Sequence, residues 1–192
     1  MKTQLIALVA AAALATGSIT GCTTTSKPPA DTPAAKRAGL EAEVDAALAR
    51  LYAQDPSARE LVGKARGTLV FPSVVTAGFV VGGSYGEGAL RSPLGSTDGY
   101  YKTVAGSVGL LAGAESRMVF ILFMNQAALD KFKASKGWTA GADASVSMMQ
   151  TGAAVGVNTA TAQQAIVGYV LTKAGLMANL SLEGTKISPI DL

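Results

Sequence analysis

The run Thr68 to Gly88, TLVFPSVVTAGFVVGGSYGEG, constrains most strongly what this chain can fold into. Its β-branched and aromatic residues favour extended backbone, and its glycines and proline disfavour a helix. Leu69 and Phe71 alternate with smaller neighbours up to Pro72, where a strand is expected to end. In the strand that follows, Phe79, Val81 and Tyr85 share one face, and Gly82, Ser84 and Gly86 share the other. So small a face implies close approach of another backbone, or a bend. The run holds no obvious catalytic group. Gly82 to Gly88 invites a phosphate-loop reading, but the spacing is not G-x-G-x-x-G and no Lys-Ser/Thr pair follows.

Composition bounds the rest. A chain of 192 residues is one domain plus appendages, and 49% hydrophobic against 15% charged residues allows a real core. The 22 glycines show no G-X-Y period, which excludes collagen. With no histidine, Ser-His-Asp and Cys-His catalysis and histidine metal sites are excluded. The single cysteine cannot form an intramolecular disulfide. A net charge of +3 is too weak and too dispersed to argue for nucleic acid. Glu87, Asp98, Glu115 and Asp143 are loop or turn carboxylates whose spacing favours no acid–base pair. We therefore expect no enzyme activity, no cofactor and no metal.

The N-terminus reads as an address. Lys2 supplies a positive start, and Leu5 to Ala15, LIALVAAAALA, is an apolar stretch of signal-peptide length. Ser18-Ile19-Thr20-Gly21-Cys22 resembles a bacterial lipobox, in which small residues admit the peptidase and the thiol carries lipid. Residues 1–21 are thus expected to be a lipoprotein signal peptide and Cys22 the site of lipid attachment. Residues 22–35, rich in proline and small polar residues, read as a flexible tether. Thr23 in place of aspartate leans, by analogy, toward the outer membrane facing the periplasm.

Residues 36–66 form a helical lead-in. Leu40, Val44, Leu48 and Leu51 recur at helical spacing. Asp55-Pro56 reads as a cap and first position of a second, shorter helix. The pair is either a hairpin packed on the domain or an amphipathic membrane-surface helix, although the mixed charge weakens the latter.

Residues 67–192 continue as glycine-punctuated strands. Arg91 to Gly99 is a loop by composition. Val104 to Met124 is nearly all apolar, but Glu115-Ser116-Arg117 argues for a turn between two strands rather than a membrane span. Met118 to Met124 then reads as a strand buried on both faces. Asn125 caps a helix that places Ala128, Leu129 and Phe132 toward the core. Lys131, Lys133 and Lys136 beside Trp138 form either a solvated helix end or a lipid-headgroup contact with an interfacial tryptophan. Ala144, Val146 and Met148 alternate with polar neighbours, Ala165 to Leu171 is an apolar strand, and Leu176 to Glu183 shows the clearest half-buried alternation. Thr185 to Leu192 is expected to add a short final strand. The fold class expected is α+β: an antiparallel curled sheet, barrel- or sandwich-like, with N-terminal helices and one intervening helix.

From Gly67 onward the chain resembles the SYLF domain family. The resemblance is carried by Leu69-Val70-Phe71-Pro72, Ala77 to Gly88, Gly106-Ser107-Val108-Gly109, Phe123-Met124-Asn125, Gly137-Trp138, Gly141 to Ala144, Gly175 to Ala178 and Leu182-Glu183-Gly184. Eukaryotic members are linked to phosphoinositides and to actin, and bacterial members are often short lipoproteins expected to bind lipid. The resemblance therefore implies a SYLF-type domain over 36–192 that binds phospholipid, as a membrane-anchored protein of the bacterial envelope. A bacterial envelope makes actin an unlikely partner. The alternative is a structural lipoprotein that binds an envelope protein, with lipid serving only as anchor.

Overall fold

The computed structural model describes residues 32–78, 81–108, 113–149, 164–172, 175–176 and 181–192. Cys22, the expected signal peptide and most of the expected tether lie outside these residues. Helix α1 spans Pro33–Gln54 and α2 spans Ala58–Lys64. The strands are β1 (Gly67–Gly78), β2 (Val81–Arg91), β3 (Thr97–Val108) and β4 (Gly113–Phe123). Helix α3 (Gln126–Ala134) follows, then β5 (Trp138–Thr139), β6 (Ser147–Met148), β7 (Ile166–Thr172), β8 (Gly175–Leu176) and β9 (Lys186–Ile190).

The expected α+β class with a curled sheet is what the structure shows. One sheet runs in the order β5-β9-β3-β2-β1-β4-β7-β6, with β8 on β7. Its pairs are antiparallel except the short β6–β7 pair, which is parallel. The sheet separates two apolar clusters. On the inner face Leu69, Phe71, Tyr101, Ile121 and Phe123 pack under α3 and Trp138. On the outer face Val70, Ala89, Phe120, Leu122, Val167 and Tyr169 pack under α1 and α2.

Helix α1 begins within the stretch that reads as tether. Pro33 needs no N–H donor at the first position of a helix, and Thr32 Oγ1 accepts from Ala35 N at 3.2 Å. The buried stripe is Leu40, Val44, Ala47 and Leu51, with Leu48 at its edge. Asp55 does not cap α2 directly. Its carboxylate accepts from Ser57 N and Oγ, and the helix starts at Ala58.

Pro72 does not end a strand. β1 runs through it, with a bulge that shifts register between Val70 and Ser73 against β2 and between Phe71 and Val74 against β4. The extra residue absorbs the missing donor and re-phases the strand. Leu69 and Phe71 point inward before the bulge and Val74 and Thr76 after it, so Val75 points out.

The glycine face of β2 is explained by that bulge. A Cβ on Gly88 would lie 2.2 Å from Val70 O, and one on Gly86 2.7 Å from Ser73 O. Backbone approaches too closely there for any side chain.

Glu115-Ser116-Arg117 lies within β4 rather than in a turn, and β4 pairs with β1, not with β3. The two strands of the 104–124 stretch therefore flank the β1–β2 hairpin. Of the Leu176 to Glu183 alternation, Gly175–Leu176 pairs with β7, residues 177–180 lie outside the described residues, and Ser181 and Leu182 are not in a strand. Gly184 turns the chain there with φ +77. The expected final strand is β9, paired with β3.

Candidate functional site

The basic-aromatic cluster does not assemble. Trp138 is 2% exposed. It packs edge-on against Phe132 and Phe123, with ring centroids 5.8 and 6.5 Å apart, so its ring is a core element and no interfacial anchor. Its pairing with Ile187 on β9 draws it inward. Lys131 Nζ donates to Asp143 O at 2.7 Å, and Lys133 pairs with Asp98 at 3.1 Å. Lys136 is exposed, with no hydrogen bond or ion pair among the described residues. Two of the three lysines thus tie α3 to the start of β3 and to the turn at Asp143. Cys22 lies outside the described residues.

A different surface stands out. Four exposed large apolar side chains lie on the outer face of β1–β3: Val75 at 44%, Tyr85 at 49%, Val104 at 46% and Val81 at 72%. A fifth, Leu94, sits apart in the turn between β2 and β3. The strand register sets three of the four side by side, with Val75 opposite Tyr85 and Tyr85 opposite Val104. One step toward the hairpin end lies a row of small residues: Gly106 opposite Gly83, Gly83 opposite Ala77, and Ala77 opposite Ala114. In sequence, no charged residue occurs from Pro72 to Tyr85 or from Thr103 to Ala114.

No element among the described residues covers this face, because α1 crosses the other half of the sheet. Arg91 fixes the helix, its guanidinium donating to Asp45 Oδ1 at 2.7 Å and to Glu41 O at 3.4 Å. Tyr100 Oη donates to Glu41 Oε1 at 2.7 Å. Hydrogen bonds from Tyr100 and Thr97, with the charge of Arg91, hold the Glu41 carboxyl below its ordinary value of 4.5. Between the first turns of α1 and the bare face runs a groove of about 820 Å³. Val75, Ala77, Gly83 and Tyr85 floor it, and Gly39 and Leu40 form its helix wall. Its charged lining is Lys36, Glu43 and Glu87. Tyr85 Oη donates to Glu87 Oε1, and that bond raises the phenol's pKa.

On the inner face, β4 carries Arg117. Burial lowers its pKa against the opposing charge of Glu115, and its Nε has no hydrogen-bond partner among the described residues. Beside it, a small cavity of about 10 Å³, room for one water, is lined by Thr103, Ser84 and Arg117 among apolar side chains. Among the described residues no group of His, Cys, Asp and Glu could hold a metal, and no helix is long and apolar enough to cross a membrane.

Sequence reading located the residues of the bare face but not their exposure. Val81 and Tyr85 do share a face, as the alternation implies. Only the bulge at Pro72 and the placement of α1 decide that this face meets solvent.

The fold and this face define a small α+β module with an exposed apolar surface, beside α1, that no described element covers. Residues 104–191, a little under half of the chain, match the family described as Ysc84, Las17-binding protein actin regulator. The match is consistent with a SYLF domain family member and takes in the later motifs, from Gly106 to Gly184. The run at 69–88 lies upstream of it. No curated protein matches the chain.

Proposed function

We propose that this protein is a lipid-anchored protein of the bacterial envelope, held through Cys22 at the periplasmic face of the outer membrane, whose SYLF-type domain binds phospholipid without catalysing a reaction. The observation that carries the reading is the uncovered row Val75–Tyr85–Val104, with Val81 beyond it. An apolar strip left exposed on an otherwise well-packed sheet marks an interaction surface. The strip adjoins the first turns of α1, on the side of the domain where the described chain begins. Its lack of charge suits acyl chains, with Tyr85 placed as an interfacial aromatic. The association of the family with lipid and protein binding agrees with a binding module.

The chain from Thr23 onward with Cys22 removed is expected to cosediment with phospholipid vesicles. Val75→Glu with Tyr85→Glu should abolish that binding, while Lys131→Glu, Lys133→Glu and Lys136→Glu together should leave most of it. Failure to bind any vesicle, with capture of an envelope protein through the same face, would replace this reading by the protein-partner one.

A further inference from the structure

Resting on that reading, we infer that the groove beside α1 seats an acyl chain of the protein's own Cys22 anchor, and does so whenever the protein is off the membrane. The groove has the volume of a ligand site, about 820 Å³. Its lining acids, Glu43 and Glu87, outnumber its one cation, Lys36, so it suits a neutral apolar chain better than an anionic headgroup.

Of the three glycines that border the groove, Gly39, Gly83 and Gly86, the first two have no role in packing. A Cβ on Gly39 would meet nothing within 4 Å, and one on Gly83 only Ala105 O at an ordinary 3.8 Å. Neither residue has a positive φ. Glycine weakens a helix or strand interior, so the fold bears that cost at both positions without a steric need of its own. Both glycines keep open the space that a chain lying in the groove would fill. Gly86 and Gly88, on the opposite face of β2, are the contrasting case, because backbone excludes any side chain there.

The occupant follows from where the described chain begins. Thr32 caps α1, and Lys36, in its first turns, lines the groove. Cys22 lies eleven residues before Pro33. Eleven residues of random coil span roughly 20 Å on average and about 40 Å when extended. An acyl chain on Cys22 is therefore held near the groove at an effective concentration on the order of millimolar. Free lipid in solution must exceed that level to compete. A bilayer competes by offering a place to all the anchor's chains at once, so membrane arrival empties the groove and frees the strip for phospholipid.

The test uses the full lipidated protein, freed of detergent, with a benzophenone photocrosslinker in place of Tyr85. Irradiation should give an intramolecular crosslink to the acyl group on Cys22, found by mass spectrometry. Gly39→Trp, on the helix wall of the groove where a Cβ meets nothing within 4 Å, should lower the yield at least fivefold. Far-ultraviolet circular dichroism and the thermal midpoint check that the variant is folded. Vesicles added in excess should suppress the crosslink. Crosslinks to co-purified phospholipid alone, no crosslink, or a yield unmoved by Gly39→Trp would overturn the inference. Vesicle binding by the anchor-free chain is scored separately: its loss removes the phospholipid reading, while the intramolecular crosslink stands or falls independently.

Discussion

The outer face of the sheet has two halves built from the same strands. In one, Val70, Ala89, Phe120 and Leu122 lie under α1 and α2 and exclude water. In the other, Val75, Tyr85, Val104 and Val81 carry similar apolar chemistry and are left in solvent. Composition does not separate them. The difference lies in where α1 is pinned, by Arg91 to Asp45 and by Tyr100 to Glu41, and in the phase change at Pro72. Apolar residues alone do not make a core; a covering element does. Where the fold supplies none, the same chemistry becomes a surface for something else.

Mutations should break this symmetry unequally. Phe120→Ala, in the covered half, is expected to cost about 3–5 kcal/mol in urea unfolding, whereas Val75→Ala in the bare half should stay within about 0.5 kcal/mol. Equal costs would mean that the bare half is packed. The glycines give the next contrast. Gly88→Ala drives a Cβ into Val70 O and should cost about 1–3 kcal/mol or more, while Gly83→Ala and Gly39→Ala should be neutral or stabilise by up to about 1 kcal/mol. Arg91→Met removes the pin of α1 and should cost about 2 kcal/mol, with hydrogen exchange rising in α1 before the sheet.

The smallest effect is one of pH. The folded-state pKa of Glu41 is lowered, so its stabilising contribution is complete above about 4.5 and is lost as pH falls through the lowered value. Glu41→Gln should therefore lower the neutral-pH Tm slightly and leave the Tm at low pH nearly unchanged, which flattens the acid limb of a Tm-versus-pH curve. An unchanged acid limb would remove Glu41 from the account of how α1 is held.

Much of the scaffold was legible in the sequence. The apolar stripe of α1, the Asn125 cap of α3, β7 and β9 all follow from local periodicity and capping chemistry, which act within a few residues. What escaped depends on distant partners. Pro72 reads as a stop because a proline lacks a donor, yet two neighbouring strands absorb it as a bulge. Glu115-Ser116-Arg117 reads as a turn because it is polar, yet it pairs with β1 through the register set by the bulge. Trp138 near three lysines reads as an interface, but β9 and the Phe123–Phe132 pair claim its ring. The bare strip was legible as a shared face and invisible as an exposed one, because exposure was decided by an ion pair 46 positions apart in the chain.

The most direct test of the bare half as the lipid-binding surface exploits the single cysteine. With Cys22 removed the chain has no thiol, so Tyr85→Cys or Lys133→Cys accepts an environment-sensitive fluorophore at one position only. On addition of phospholipid vesicles the probe at 85 should shift to the blue with a several-fold rise in intensity, and the probe at 133 should not respond. A response at 133 with none at 85 would return lipid binding to the α3 lysines and contradict the account.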